Sequence, residues 1–318
     1  MKNVIFMGTP DFAVGALKAL LDSDYTVQAV FTQPDKPKGR GKSLQMTPVK
    51  ETALEAGIPV YQPKKIRDPE NLELLKQYQP EAIVVVAFGQ IIPETILNLP
   101  KYGCINVHAS LLPKYRGAAP IQWAVINGEK ESGVTTMRMD AGLDTGDMIR
   151  KAVVPLAEKE TGGSLFDKLS ETGAKLLIQT LDSLWEGTAG FEKQPAESPT
   201  AYAGMLSKQM GKIDWSKGAS QIECLIRGLN PWPSAYTGYQ GKTLKIWAAD
   251  VETGDFETDP DAGRVPPGTI LEVTKNTLKV QTGEGVLSIR ELQLEGKKRL
   301  ETDAFLRGCQ MLEGQLLQ

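Results

Sequence analysis

Three stretches in the first ninety residues carry apolar residues in near-continuous runs rather than at alternate positions: KNVIFM (2–7), VQAVFT (27–32) and EAIVVVAFG (81–89). A strand with no polar side is buried on both faces, as in parallel sheets covered by helices on both sides. Between the first two runs, Gly8 turns the chain, Thr9 is placed to cap a helix, Pro10 suits its first position, and ALKALL supplies the apolar face. Strand, helix and strand within about thirty residues make a βαβ unit, right-handed by default. An α/β fold on a mostly parallel sheet follows.

The pattern continues along the chain. Thr47–Pro48 opens a helix (VKETALEAG) that Gly57 ends, PVYQ is a short strand, and Asp68–Pro69 opens the helix NLELLKQYQ. CINVHAS (104–110), GVTTMRMD (133–140) and MIRKAVVPL (148–156) read as strands, with a helix over 118–128. Residues 163–187 carry Leu, Phe and Ile at helical spacing, a core-facing stripe. A stretch rich in Pro, Ser, Thr and Ala without periodicity then reads as a linker, 189–207, which would divide a catalytic domain (1–188) from a second domain (208–318). The second domain opens on a helix. Short strands with glycine turns follow, predicting a small β-barrel, interrupted by an acidic loop at 251–267.

Composition closes several routes. No apolar run approaches the roughly 18 residues of a membrane span. The N-terminus, MKNVIFMGTPDF, has neither the apolar core of a signal peptide nor a transit peptide's Arg/Ser bias, so a cytoplasmic protein is expected. Three scattered cysteines and one histidine cannot form a Cys/His zinc set, and no metal is expected. With a net charge of -3, any contact with nucleic acid must come from a local basic patch.

Two glycine-rich stretches invite nucleotide readings. In GTPDFAVG, Pro10 stands where a dinucleotide fingerprint needs its second glycine, which disfavours NAD. In QPDKPKGRGKSLQMTP (33–48), the GKS lacks the upstream glycine and the helix of a phosphate-binding P-loop. This stretch still carries Lys36, Lys38, Arg40 and Lys42 within seven residues. It fits either a solvated loop or an arm that grips phosphates.

The chemistry concentrates between Gly103 and Asp147. The only histidine, His108, stands two residues after Asn106, so both project from the same face of a strand, near its C-terminal end. A Pro/Gly/Arg loop follows, then a turn bearing Asp140, Asp144 and Asp147. A carboxamide can donate to an oxyanion, an imidazole can move a proton, and a carboxylate can orient the imidazole and favour its charged form. Cys104 shares the face and is a possible nucleophile, though packing explains it as well. Without a serine or cysteine elbow, the set fits direct acyl transfer between two bound substrates.

NVHASLLPKYRGAAPIQWAVINGE followed by TTMRMDAGLDTGD resembles the signature of the folate-dependent formyltransferases. The resemblance implies a Rossmann-like catalytic domain that moves the formyl group of 10-formyltetrahydrofolate onto an amine. It implies that Asn106, His108 and Asp144 are catalytic. Ser110, Leu111, Leu112 and Pro113 would cradle the folate, with the backbone around Phe88, Gly89, Gln90 and Ile91 and the turn at Asp140. FMGTPDFA, FTQPDKPKGRGK, TPVK and NPWPSA are similar to the branch of the family whose partner is initiator methionyl-tRNA. By that resemblance the second domain is an OB-like β-barrel that binds tRNA, and Lys36, Lys38, Arg40 and Lys42 meet the acceptor end of the tRNA, Arg40 foremost. A monomer is expected. One feature departs from the expectation of a basic second domain. Residues 208–318 hold 14 Lys/Arg against 15 Asp/Glu, so a basic face there must come from segregation, with Lys297, Lys298 and Arg299 as contributors. A formyltransferase for a small amine, such as a nucleotide sugar or a purine-precursor ribonucleotide, is the alternative. A non-catalytic tRNA-binding protein is another.

Overall fold

The computed structural model describes residues 2–38, 43–252 and 265–318. Contacts divide the chain into two compact units. The first takes residues 1–120, 131–155 and 166–203, and the second takes 121–130, 156–165 and 204–318.

The first unit is built on a seven-stranded sheet. Its strands are β1 (Lys2–Gly8), β2 (Tyr25–Phe31), β5 (Val60–Tyr61), β6 (Ala82–Val86), β7 (Cys104–His108), β8 (Glu131–Arg138) and β9 (Asp147–Pro155). A separate two-stranded hairpin pairs β3 (Lys36–Lys38) with β4 (Ser43–Gln45). Across the large sheet the order is β5-β2-β1-β6-β7-β8-β9. β5 through β7 are parallel, whereas β8 and β9 run antiparallel. The mostly parallel α/β expectation holds, and its apolar runs are the reason. Val4 to Met7 and Ala82 to Val86 are buried throughout, each large side chain contributing about 1.5–3 kcal/mol relative to exposure.

Strand direction changes at β7. It pairs with β6 in parallel (Val85↔Asn106) and with β8 antiparallel, where His108 stands opposite Thr135 and Asn106 opposite Met137. The chemistry-bearing strand therefore has a different partner geometry on each side.

The helices of this unit follow local signals with one exception. α2 (Pro48–Glu55) starts as read: Thr47 caps it by accepting from Lys50 N at 3.2 Å. α3 (Pro69–Tyr78) has Asp68 at its N-cap, although no side-chain cap bond forms. α1 (Asp11–Leu21) is the exception, because its N-cap is Pro10 and Thr9 does not cap it. The Thr9 hydroxyl instead donates to Phe88 O at 3.0 Å and accepts from Gln33 N at 3.3 Å, tying together the loops after β1, β2 and β6. α4 (Glu94–Leu97) is a single turn, and α5 (Pro120–Ile126), which follows the loop after β7, belongs to the second unit from Ile121 onward. α6 (Gly162–Glu186) buries Leu165, Leu169, Leu176, Leu177, Leu181 and Leu184 along one stripe. Residues 189–203 also belong to the first unit, bridging through Met148↔Glu192 and Gly117↔Ala203.

The second unit holds an antiparallel sheet in the order β10-β11-β14-β13-β12, with β15 on β14. These are β10 (Ala235–Tyr239), β11 (Lys242–Val251), β12 (Ile270–Val273), β13 (Leu278–Gln281), β14 (Val286–Leu294) and β15 (Leu300–Glu301). The C-terminal tail closes the gap between the two edges. Gln318 N donates to Gly238 O at 3.0 Å, while Leu317 N donates to Gly268 O at 2.9 Å and Gln315 O accepts from Ile270 N at 2.8 Å. Closure of this kind removes the unpaired edges of a small barrel. α7 (Ala219–Gly228) adds Ile222 and Ile226 to the barrel core, and α8 (Thr302–Gly308) adds Phe305. Most of the acidic loop, 253–264, lies outside the described residues.

Candidate active site

Three side chains lie on one face of β7, and burial grades them. Cys104 is fully buried, its thiol pointing to Ile96 O at 3.7 Å. Burial pushes its pKa up to about 12, so the thiol stays protonated at neutral pH and is no nucleophile. Asn106 is half-buried. Its carboxamide has no hydrogen-bond partner among the described residues. His108 is 6% exposed, with Nε2 at 3.1 Å from Tyr115 O and Nδ1 at 3.7 Å from Asp144 Oδ1. A carbonyl oxygen can only accept, so Nε2 carries a proton in this contact. Nδ1 is left facing the carboxylate.

The loop after β7 is shaped to make that contact. Ser110 Oγ donates to Lys114 O at 2.6 Å, closing a tight turn. Thr135, fully buried opposite His108, donates to Ser110 O at 2.7 Å and accepts from Leu112 N at 3.0 Å. Tyr115 takes the left-handed conformation (φ 57), which aims its carbonyl at the imidazole.

The three acids of the following turn have separate tasks. Asp140 Oδ1 accepts from Gly142 N at 3.0 Å and Thr145 Oγ1 at 2.8 Å, so this carboxylate braces the turn. Asp147 pairs with Arg138 at 3.1 Å. Asp144 alone faces His108, and it too is left-handed (φ 55). Its Oδ2 accepts from Gly117 N at 2.9 Å.

The segment 192–203 straps this loop and turn together, a role its composition does not announce. Arg116, buried, donates to Gln194 Oε1 from Nε and Nη2 (3.0 and 2.9 Å), to Ala196 O (3.1 Å) and to Pro195 O (2.7 Å). Gln194 Nε2 donates in turn to Asp144 O at 2.9 Å and Gly146 O at 2.8 Å. Ser198 donates to Pro113 O at 2.8 Å, and Thr200 accepts from Tyr115 N at 2.7 Å. Tyr115, Arg116, Thr135 and Gln194 were not legible as site residues, because each acts through a contact made only in the folded chain. For Arg116 the one available signal was a cation inside a Pro/Gly loop.

The residues read as a folate cradle divide in two. Leu112 is buried in a small cluster with Met137 and Met148, while Leu111 and Pro113 are half-buried. In the loop after β6, Phe88 belongs to the core. Gln90 is committed as well, accepting from Ile66 N at 2.6 Å and donating to Pro63 O at 2.9 Å. What this loop offers a ligand is backbone. The N–H groups of Gly89 and Ile91 donate to nothing among the described residues, and the Ile91 side chain is 79% exposed.

Lys36 and Lys38 lie on β3, while Arg40 and Lys42 lie outside the described residues. The hairpin has an anchored base. Lys50 Nζ donates to Asp35 Oδ2 at 2.6 Å and Gln62 Oε1 at 2.8 Å, and Gln62 Nε2 donates to Asp35 Oδ1 at 2.7 Å and Gln33 O at 2.9 Å. No group of three or more His, Cys, Asp and Glu among the described residues could hold a metal ion. No helix among them is long and apolar enough to cross a membrane.

Residues 1–181 match the formyl transferase family, and residues 205–310 match the formyl transferase C-terminal domain. The chain belongs to the formyl transferase family. It is 59% identical over 312 residues to the methionyl-tRNA formyltransferase of Agathobacter rectalis, covering 98% of each chain. It is 56% identical over 315 residues to that of Lachnospira eligens, covering 99% of each. Among solved structures, the sugar 3N-formyl transferase WlaRD, crystallised with dTDP and 5-N-formyl-THF, aligns at a TM-score of 0.65 and 20% identity over 94% of this chain and 99% of that one. At that identity the likeness speaks for the formyl transferase fold.

Proposed function

We propose that this formyl transferase moves the formyl group of 10-formyltetrahydrofolate to the amino group of methionine on initiator tRNA, for translation initiation. The observation that carries the reaction is the buried His108, held by a carbonyl on one side and faced by Asp144 on the other, beside an Asn106 amide with no partner among the described residues. The acceptor is supported by methionyl-tRNA formyltransferases of more than half identity over nearly the whole chain.

In this reading the free amine attacks the formyl carbon and the C=O electron pair moves to oxygen. The Asn106 N–H and the His108 imidazole stabilise that oxyanion, a task in which one donor is typically worth about 10²–10³ in rate. Collapse expels N10 of the folate, which takes a proton as the attacking amine loses one. Asp144 holds the imidazole in orientation and helps set the protonation state of His108 and of a water. The chain's residues fit the donor at two places. The turn at Ser110, Leu111, Leu112 and Pro113, with the Asp140 turn beyond it, makes one wall. The Phe88–Gly89–Gln90–Ile91 loop presents as the other the N–H groups of Gly89 and Ile91, which have no partner among the described residues.

Lys36, Lys38, Arg40 and Lys42 serve as the arm on the tRNA acceptor end, with Arg40 as the main reader. Residues 1–188 act as the catalytic domain and 208–318 as a tRNA-binding domain, joined through 189–207. The enzyme works in the cytoplasm as a monomer. The deciding experiment is incubation with 10-formyltetrahydrofolate and methionylated initiator tRNA, scoring formylmethionyl-tRNA against an elongator control. Formyl transfer only to a small amine, or equal use of both tRNAs, would overturn the assignment.

A further inference from the structure

We propose that Gln194, oriented by Arg116, is a positioning residue for the transfer reaction, setting Asp144 against His108. The inference rests on the role given to Asp144 above.

Asp144 adopts a left-handed backbone (φ 55), uncommon for any residue with a Cβ, so the surrounding structure has to hold it there. Two anchors do so. The Gly117 N–H takes Oδ2, which leaves Oδ1 to face the imidazole. The Gln194 amide takes the main chain, one N–H for Asp144 O and one for Gly146 O, so it spans the residues just after the carboxylate.

The orientation of that amide is fixed by chemistry. Its Oε1 meets two guanidinium N–H groups, and a flipped amide would set NH2 against donors on one side and oxygen against two carbonyls on the other. Arg116 has no carboxylate partner among the described residues. Its charge is met by the carbonyl oxygens of 194–196. A buried cation on Oε1 polarises the amide and strengthens its N–H donors, as in other hydrogen-bond chains. Arg116 and Gly117 are consecutive, so one short segment controls both the backbone and the side chain of Asp144.

The test compares Gln194→Glu and Gln194→Met with the unmodified enzyme and with Asp144→Asn. Glu keeps the acceptor for Arg116 but sets an oxygen against Asp144 O and Gly146 O, whereas Met removes the donors without that repulsion. Gln194→Glu should still fold, with a lowered melting temperature, while kcat in both variants falls on the order of 10- to 100-fold at a temperature well below unfolding, the scale of a small misplacement of a catalytic group. KM for folate and for tRNA should stay within about threefold, since the lost interaction is not a substrate contact. Because the chain has one histidine, ¹⁵N labelling gives a single imidazole. Its Nδ1 resonance should move in Gln194→Glu and Gln194→Met in the direction seen in Asp144→Asn. Wild-type kcat in Gln194→Glu would overturn the proposal. So would a fall in kcat, or in stability alone, with an unchanged imidazole spectrum. The spectrum is read on the free protein, so it tests the coupling even if the acceptor assignment fails.

Discussion

Asp144 divides its carboxylate between two partners: Oδ2 accepts from Gly117 N at 2.9 Å, and Oδ1 lies 3.7 Å from His108 Nδ1. Asp144→Asn keeps the size and the acceptor for Gly117 but removes the charge that faces the imidazole. Its kcat should fall about 10²–10⁴-fold, the range of positioned proton-transfer groups. Melting temperature and tRNA affinity should change little. Single-turnover kinetics with saturating tRNA would separate chemistry from binding, and near-normal turnover would remove Asp144 from the mechanism.

Cys104 makes a contrasting prediction from the same strand face. Its buried thiol, pushed up to about 12, is not available as a thiolate. Cys104→Ala should keep kcat within about twofold and lose about 1 kcal/mol of stability to a small cavity. Cys104→Ser should be less stable than Cys104→Ala, because it buries a hydroxyl. A large loss of kcat in a folded Cys104→Ala protein would reopen covalent catalysis.

These two residues show what a sequence can carry. An i, i+2 spacing on a strand places Cys104, Asn106 and His108 together without any tertiary knowledge. It does not rank them, because burial and partners come from other elements. The apolar runs at 2–7 and 81–89 were legible as central strands because burial on both faces leaves no polar position. Thr9 misled for the opposite reason. A threonine before Pro10 looks like a cap, but its hydroxyl is recruited by Phe88 O, 79 residues away. The strap at 192–203 bonds through single side chains and backbone carbonyls rather than a periodic face. A Pro/Ser/Thr-rich stretch reads the same whether it is tethered or free, so Gln194 gave no signal.

Gly117 tests how tightly the loop is built. Its φ of 129 lies where side chains are strained, and an added Cβ would stand 2.6 Å from Ala203 O and 2.8 Å from the Tyr202 ring. Gly117→Ala should therefore cost more than about 1 kcal/mol and displace the N–H that holds Asp144. Differential scanning calorimetry and kcat should fall together. A variant that loses neither would show that the strap adapts to the loop rather than fixing it.

The basic hairpin should act through phosphates. Lys36 is exposed on β3, and its ammonium has no hydrogen bond or ion pair among the described residues. Lys36→Ala should weaken binding of initiator and elongator tRNA alike and reduce the slope of log K against log salt by about 0.7–0.9. Fluorescence titration across salt concentrations measures both. An unchanged slope would place Lys36 away from the tRNA.

The base of the hairpin adds a pH dependence whose sign can be worked out. The Lys50 ammonium and then the Gln62 amide, both donating to Asp35, hold its carboxyl below the usual carboxylate range. A carboxyl with a depressed folded value stabilises the fold above its unfolded value. That contribution is lost as pH falls through the folded one. The Asp35 clamp should thus be fully formed at neutral pH and loosen only in acid, below the ordinary value of about 3.9. Asp35→Asn cannot titrate and cannot pair with the Lys50 charge. Its deficit relative to the unmodified protein should be largest at neutral pH and shrink as the pH drops below that value. Amide exchange at Lys36–Lys38 and Ser43–Gln45, read by mass spectrometry across pH, follows this locally. Asp35→Asn should show faster hairpin exchange at pH 7 and converge with the unmodified protein in acid. A deficit independent of pH would mean that the clamp works by neutral hydrogen bonding to Gln62 alone.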